Sequence, residues 1–233
     1  MSNNSDPQEI EKFNKIAADW WDEQGPMKPL HQINPLRMQF IESHIDRLQQ
    51  KKVLDIGTGG GILAEALCKK GATVTGIDLC SQALLVAREH AKHHGLDIDY
   101  QLVTAEQIAS EQAGTFDCVT CLEMLEHVPD PAAVVKAAAL CVKPGGTLFF
   151  STISRNPKSF LFAIIGAEYI LRLLPRGTHR YEKFIKPSEL DRFADRAGCQ
   201  LQAITGLSYA PLTRHFSLSN DVSVNYMACY RKD

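Results

Sequence analysis

The stretch that decides the fold is Val53-Leu54-Asp55-Ile56-Gly57-Thr58-Gly59-Gly60-Gly61. It reads as a short apolar strand that runs into a glycine-rich turn, and a helical stretch near 62–70 follows. Glycine leaves the backbone N–H groups of such a turn unobstructed at the N-terminus of the next helix. A doubly wound sheet binds its ligand at this position, so we expect these N–H groups to face one.

A carboxylate lies where a nucleoside ligand would need it. The second strand, near 73–78, ends in Asp78, 21 residues after Gly57. A carboxylate there accepts hydrogen bonds from the two hydroxyls of a ribose. A glycine turn alone is weak support, because any tight strand-to-helix turn uses glycine for a positive φ. Both features together indicate a nucleoside-containing cofactor.

Two cofactor classes fit these features. Gly59-x-Gly61-x-x-Ala64, with Asp78 nineteen residues after Gly59, matches the dinucleotide fingerprint of NAD(P) oxidoreductases. Asp55 favours a different class, because a carboxylate two residues before the first glycine repels a pyrophosphate. The same carboxylate attracts an ammonium group, such as that of S-adenosylmethionine.

Alternating short strands and helices predict βαβ units and a parallel sheet. Two helices precede the first strand, one capped at Asp6-Pro7 and running to about Trp21, the other capped at Asn34-Pro35. A helix is predicted at 187–197. The predicted strands are 52–56, 73–78, 98–103, 116–122, 146–152, 200–207 and 222–230, with helices between them near 62–70, 82–94 and 131–142.

Composition and charge exclude several classes of protein. The chain has 233 residues, 45% of them hydrophobic and 22% charged, which excludes disorder, collagen and coiled coil. The formal net charge of −2 provides no general attraction for nucleic acid, so no nucleic-acid partner is expected. The sequence starts without a leader-like segment and has no apolar stretch of the ~20 residues that span a bilayer, which predicts a cytoplasmic protein unless something anchors it.

The seven cysteines are odd in number and lie mostly in apolar segments, which indicates reduced, buried thiols. Cys118 and Cys121 form a single C-x-x-C. Because they belong to a predicted strand, their side chains point to opposite faces, and a zinc half-site is disfavoured.

The same residues belong to a wider pattern that covers nearly the whole chain. The stretch 53–61, Asp78 and Lys143-Pro144-Gly145-Gly146 resemble a class I methyltransferase. Further blocks resemble the family of ubiquinone biosynthesis O-methyltransferases: Trp20-Trp21, Lys28-Pro29-Leu30-His31, Ile33-Asn34-Pro35-Leu36-Arg37, and the ranges 122–131, 166–172 and 221–227.

This resemblance implies an α/β fold, the Rossmann-like class I methyltransferase fold. Its seven-stranded, mostly parallel sheet would have helices on both faces, an N-terminal helical cap and an antiparallel last strand. It implies S-adenosylmethionine as cofactor and O-methylation of polyprenyl phenols, namely 2-polyprenyl-6-hydroxyphenol and 3-demethylubiquinol, in ubiquinone biosynthesis. The expected cofactor-binding residues, those carried over by the resemblance together with two from the strand and turn, are Arg37, Asp55, Gly57, Gly59, Asp78 and Leu122.

Glu123, Glu126 and His127 follow the fourth predicted strand and would face the methyl acceptor. The resembling family includes members with a divalent ion at this Glu-x-x-Glu-His pattern, and such an ion, Mg²⁺ or Zn²⁺, would lower the pKa of a bound phenol. Without an ion, His127 is the candidate general base, and His31 is a weaker one. A solvated helix start without catalytic function explains the pattern equally well.

The segment 155–186 is apolar and basic. It contains seven Lys or Arg residues and two Glu residues, a net charge of +5. Such a helical insertion after the fifth strand suits an anionic membrane interface, but a lid that covers the substrate explains it as well. Peripheral association with the inner face of the cell membrane is one expectation, and contact with other enzymes of the ubiquinone pathway is another.

We expect a single domain over 1–233 with four parts: N-terminal helices (1–50), a cofactor-binding core (51–154), the lid or membrane-contact insertion (155–186), and a C-terminal helix and strands (187–233). The rival functions are another small-molecule phenol O-methyltransferase, an NAD(P)-dependent oxidoreductase, and a non-catalytic cofactor-binding protein that docks to membranes.

Overall fold

A computed structural model of the chain describes residues 4–159, 181–210 and 213–233. Its helices are α1 (Pro7–Ile16), α2 (Lys28–Glu42), α3 (Ile62–Lys69), α4 (Ser81–His93), α5 (Ala105–Glu111), α6 (Pro131–Cys141), α7 (Pro157–Ser159) and α8 (Pro187–Arg196). Its strands are β1 (Lys52–Ile56), β2 (Thr73–Ile77), β3 (Ile98–Gln101), β4 (Phe116–Leu122), β5 (Val142–Ile153), β6 (Cys199–Ala210), β7 (His215–Ser219) and β8 (Asn225–Lys232).

All these strands form one sheet in the order β3-β2-β1-β4-β5-β8-β6-β7. Strands β1 to β5 are parallel to one another, and β8 pairs antiparallel with β5. The predicted parallel core and antiparallel last strand are therefore confirmed. The predicted count of seven strands is one too low, because β7 forms a hairpin with β6 at the sheet edge.

The hydrophobic core has one layer on each face of the sheet. One layer joins the inward residues of α2, α3 and α4 to the sheet, and the other joins α5, α6 and α8 to it. Neighbouring residues of a strand alternate between the layers, as Val53 and Leu54 do. Cys118 and Cys121 also lie in different layers, as predicted.

The N-terminal helices differ in part from the prediction. In α1, Asp6 caps the helix by accepting a hydrogen bond from the Gln8 N–H at 3.0 Å, but the helix ends at Ile16 and a 3₁₀ turn follows over Ala17–Asp19. The predicted cap at Asn34-Pro35 is wrong, because α2 already begins at Lys28 and contains Pro35. Pro29 occupies the first turn of α2, where the missing N–H of a proline costs nothing.

Helix α5 was not predicted, although a capping box marks its start. The Thr104 side chain accepts from the Gln107 N–H at 3.1 Å, and the Gln107 side chain accepts from the Thr104 N–H at 2.8 Å. Residues 160–180 of the predicted insertion lie outside the described residues. In the part of the chain that the structure describes, no helix has the length and apolar character needed to cross a membrane.

Candidate active site

A cavity of about 650 Å³ opens at the carboxyl ends of β1, β2 and β4. Residues of helices α1 and α2 and of the β6–β7 hairpin also line it. The predicted cofactor-binding residues and the predicted acid and histidine group all line this cavity, namely Arg37, Asp55, Gly57, Gly59, Asp78, Leu122, Glu123, Glu126 and His127, whereas His31, the weaker candidate base, does not. The structure thus brings together residues that lie up to 90 positions apart in the chain.

The glycine turn is packed too tightly for side chains. Gly57 has a φ of +74°, and a Cβ there would lie 2.5 Å from the Met124 Cγ. Gly59 has a φ of +54°, and a Cβ there would lie 2.1 Å from the Trp20 Cζ2. Any other residue at either position would therefore be strained and would clash.

The turn does not direct its first N–H groups toward a ligand, contrary to our expectation. The N–H groups of Gly57 and Thr58 donate to the Ile77 carbonyl at 2.9 and 3.0 Å. The Gly59 N–H donates to Asp78 Oδ2 at 2.8 Å. These bonds hold the turn against the end of β2. They also leave those three N–H groups unable to cradle a pyrophosphate, which argues against the dinucleotide alternative.

Asp78 is fixed by backbone donors at the edge of the cavity. Its Oδ2 accepts from Gly59 and its Oδ1 accepts from the Cys80 N–H at 2.7 Å. Burial raises the pKa of Asp78. Each carboxylate oxygen has a second lone pair. Both oxygens can therefore still accept a hydrogen bond from a hydroxyl, as binding of a ribose diol requires.

Arg37 and Asp55 are buried charges of opposite sign in the same cavity. Arg37 is 5% exposed, and among the described residues its Nε and Nη2 have no hydrogen-bond partner. Its nearest carboxylate is Glu123, at 3.9 Å. Burying unbonded donors is costly unless a ligand satisfies them. A guanidinium group with buried, unsatisfied N–H donors fits a carboxylate ligand, which can accept two parallel hydrogen bonds from it.

Asp55 is 3% exposed and accepts a hydrogen bond from the Thr120 Oγ1 at 2.7 Å. Burial raises the pKa of Asp55 to about 6. A cationic ligand would favour its charged form. Arg37 and Asp55 together therefore suit a zwitterionic amino acid, whose carboxylate and ammonium they would neutralise. The amino-acid end of S-adenosylmethionine is such a group, and the residues present fit this cofactor.

Glu123 lies just past β4 in a conformation that is rare for residues other than glycine. Its φ is +54°, which costs free energy and needs support from the surroundings. Ser151 provides that support, because its Oγ donates to Glu123 Oε1 at 2.7 Å and accepts from the Glu123 N–H at 3.0 Å. The Asn225 amide also donates to the carboxylate, at 3.2 Å.

Glu126 and His127 belong to a 3₁₀ turn over Leu125–His127. Glu126 is 3% exposed, its Oε2 accepts from Thr152 Oγ1 at 2.7 Å, and its Oε1 has no partner among the described residues. Burial, reinforced by the charge of Glu123, raises the pKa of Glu126 to about 8. The His127 Nδ1 lies 2.7 Å from Glu9 Oε2.

The three residues predicted to bind a divalent ion do not converge. Glu123 is bonded to Ser151, Glu126 to Thr152, and His127 to Glu9. Within the described ranges, their ligand atoms do not form a group within 4.8 Å of one another. In this arrangement an ion would have to displace their present partners, which belong to β5 and α1.

Several residues that shape the site were not found from the sequence. Glu9 and Phe13 of α1 contact His127, the latter with its ring edge at a centroid distance of 5.1 Å. Nothing in the sequence pairs α1 with the end of β4. Ser151 and Thr152 did carry a signal, because they are polar residues within the buried end of an apolar strand. His31 has a structural role, with its Nε2 2.9 Å from the Trp20 carbonyl oxygen.

The buried carboxyl of Glu126 predicts how stability depends on pH. Its pKa rises from 4.5 to about 8 on folding. The folded state therefore binds the extra proton, and its free energy of unfolding falls as pH rises from about 4.5 to 8. We expect Glu126→Gln, which keeps an acceptor for Thr152, to be more stable than the native chain at pH 8 by on the order of a few kcal/mol and equally stable near pH 4.

Urea unfolding at several pH values measures this difference. Glu111→Gln is the matched control, because Glu111 is exposed and the substitution should leave the pH profile unchanged. Parallel profiles for the native chain and Glu126→Gln would show that Glu126 does not hold a proton at neutral pH.

Comparison with known proteins places the chain among methyltransferases. The family model described as a methyltransferase domain matches residues 30–204. Two relatives, from Bordetella avium and Stutzerimonas stutzeri, are both called ubiquinone biosynthesis O-methyltransferase. The first is 56% identical over 98% of this chain and 95% of its own length, and the second 59% identical over 96% of each.

Solved structures share the fold. One is magnesium protoporphyrin IX methyltransferase from Synechocystis PCC 6803 with bound SAM. Its alignment with this chain covers 100% of each of the two chains, with a TM-score of 0.68 and 16% sequence identity. The class I methyltransferase fold expected from the sequence is therefore confirmed, as is the expected enzyme class. The chain belongs to the family of ubiquinone biosynthesis O-methyltransferases.

Proposed function

We propose that this enzyme transfers methyl groups from S-adenosylmethionine to the phenolic hydroxyls of 2-polyprenyl-6-hydroxyphenol and 3-demethylubiquinol. The observation that carries the proposal is the pair of buried opposite charges, Arg37 and Asp55, in one cavity with Asp78. Such a cavity matches a ligand with an amino-acid end and a ribose. The names of the relatives support the pathway.

In this proposal the cofactor-binding residues hold and orient S-adenosylmethionine. Arg37 holds the carboxylate, Asp55 the ammonium and Asp78 the ribose, while Gly57 and Gly59 let the backbone approach closely. S-adenosylmethionine supplies an electrophilic methyl group when bound. Leu122, the last residue of β4, also lines the cavity, where it would offer its backbone groups to the cofactor.

We propose His127 as the group that removes the phenolic proton. Its ring lines the cavity, and Glu9 holds its Nδ1 at 2.7 Å. The carboxylate orients the ring and stabilises the imidazolium that forms when the proton arrives. The pKa of Glu9 is lowered, chiefly by its hydrogen bond to His127, so Glu9 stays charged when the enzyme works near neutral pH.

The cavity has apolar lining that suits a substrate tail. Leu30 and Ile33 of α2 belong to it, as do Leu207, Tyr209 and Phe216 of the β6–β7 hairpin. Apolar walls of this kind favour burial of isoprenoid carbon over water. They support a polyprenyl phenol over a small soluble phenol as the acceptor.

Association with an anionic membrane through 155–186 is part of the proposal, because a polyprenyl phenol dissolves in lipid. The net charge of +5 in this segment supports it. Deleting 159–174 should abolish sedimentation with anionic liposomes while leaving cofactor affinity intact, whereas retained sedimentation would contradict a membrane contact here. We also propose a cytoplasmic location for the protein and contacts with other enzymes of the pathway.

The test of the function is methyl transfer from labelled S-adenosylmethionine to a short-chain demethylubiquinol. We expect the labelled methyl ether to form. Tight cofactor binding without transfer to this or any related phenol would contradict the proposal and favour a non-catalytic protein.

A divalent ion at Glu123, Glu126 and His127 stays a prediction, and the same assay tests it. Loss of transfer with a chelator and recovery with Mg²⁺ or Zn²⁺ would require these side chains to exchange their present partners. Transfer that is insensitive to the chelator would leave proton removal to His127.

A further inference from the structure

Three side chains of metal-ligating types, one buried, one half-buried and one exposed, meet outside the lining of the cavity. Glu65 belongs to α3, His90 to α4, and His94 follows the last turn of α4. One ligand atom from each lies within 4.8 Å of the other two. None of the three lines the candidate active site, so the proposed reaction does not use them.

The buried Glu65 forms a close pair with the half-buried His90. The Glu65 side chain is 1% exposed, and its Oε1 lies 2.5 Å from the His90 Nδ1. Its Oε2 lies 3.2 Å from the Lys69 ammonium. A buried carboxylate is stable only when it is paired with a positive or hydrogen-bonding group. A metal ion bound to Oε1 would provide that pairing in place of the His90 N–H.

His94 is exposed and its available nitrogen can be identified. Its Nδ1 lies 2.9 Å from the His90 carbonyl oxygen. A carbonyl only accepts, so Nδ1 carries the proton and Nε2 keeps a free lone pair. This is the tautomer that metal-binding histidines adopt when a carbonyl orients them. The i, i+4 spacing places the two rings together, with centroids 4.1 Å apart.

We propose that Glu65, His90 and His94 bind a borderline divalent transition ion, of which Zn²⁺ is the representative. Two imidazoles and one carboxylate favour Zn²⁺, Co²⁺ or Ni²⁺ over Mg²⁺ and Ca²⁺, which prefer oxygen ligands. Ligand atoms around a tetrahedral zinc lie about 3.3 Å apart. Closing the site therefore takes a rotation of the exposed His94 and a separation of the Glu65 Oε1 and the His90 Nδ1, which lie 2.5 Å apart without the ion.

The site is connected to the glycine turn through Trp21. The indole of Trp21 stacks on the His90 ring at a centroid distance of 3.4 Å and an interplanar angle of 8°. Its Nε1 donates to the Gly60 carbonyl at 2.9 Å. An ion that immobilises His90 would therefore also fix the ring that joins the N-terminal segment to the glycine turn.

The experiment is a calorimetric titration of the purified full chain with Zn²⁺, alongside three variants. His94→Ala should weaken the affinity at least tenfold, because it removes one of three protein ligands from an exposed position without disturbing the core. His93→Ala, an exposed histidine next to it, should bind as the native chain does. His127→Ala should also bind normally, which separates this site from the ion predicted near the cavity.

Thermal unfolding provides a second measurement that does not depend on activity. Zn²⁺ should raise the Tm of the native chain and of His93→Ala, because an ion that binds only the folded state stabilises it. The shift should be lost in His94→Ala. Equal zinc affinities for His94→Ala and His93→Ala, or no binding at about 0.1 mM Zn²⁺, would overturn the proposal.

Discussion

Replacing His127 with alanine is expected to lower kcat between about 10²- and 10⁴-fold, the range that a general base contributes. The Kd for S-adenosylmethionine should stay unchanged, because Arg37, Asp55 and Asp78 are still in place. Single-turnover methyl transfer and calorimetry on the same preparation measure the two quantities separately.

Glu9→Gln tests whether the partner of His127 acts through its charge. The amide keeps the side-chain shape but no longer stabilises the imidazolium, so the acidic limb of the kcat/KM profile should move to lower pH. His93→Ala serves as the control for removing a histidine. A native kcat in His127→Ala, or loss of cofactor binding together with activity, would remove the support for a base at this position.

Replacing Asp78 with alanine is expected to raise the Kd for S-adenosylmethionine by about 100-fold. Two hydrogen bonds from ribose hydroxyls to a carboxylate would be lost, each worth about 1.5 kcal/mol, the low end of the net range for a charged acceptor, and each 1.4 kcal/mol changes Kd about tenfold. The Gly59 and Cys80 N–H groups would also lose their acceptor. At saturating cofactor, kcat should change much less than Kd.

Asp78→Asn keeps the size of the side chain and one acceptor oxygen, so its Kd should lie between those of the native chain and the alanine variant. Asp97→Ala, at an exposed position after α4, controls for the loss of an acidic residue and should bind cofactor normally. A native Kd in a folded Asp78→Ala protein would show that the ribose is held elsewhere.

The parallel core and the cofactor side of the site were predictable because they depend on local sequence. The apolar run before Gly57 predicted β1, and the glycines predicted the turn that follows. Asp78 could be placed because the carboxyl ends of parallel strands meet at one edge of a sheet. The family resemblance added Arg37, which sequence pattern alone does not distinguish from a solvated helix residue.

The other features depend on contacts between distant parts of the chain. Glu9 lies 118 residues from His127, and no local pattern predicts that they meet. The interpretation of Glu123, Glu126 and His127 as one ligand group assumed a helical turn after β4. A positive φ at Glu123 and a 3₁₀ turn at Leu125–His127 instead direct the side chains to different partners. Strand β7 was missed because it is short and no residue in it is fully buried.

Helix α1 has a consequence for the timing of the catalytic cycle. It lines the cavity, yet none of its residues is fully buried, and polar pairs such as Glu9–His127 and Asp6–Lys183 hold it. Segments with little buried apolar surface open far more often than the whole domain unfolds. Spent cofactor would therefore leave at the rate at which α1 opens. The side chains of these two pairs are only 14–25% exposed, so salt would screen them weakly and product release would depend little on ionic strength.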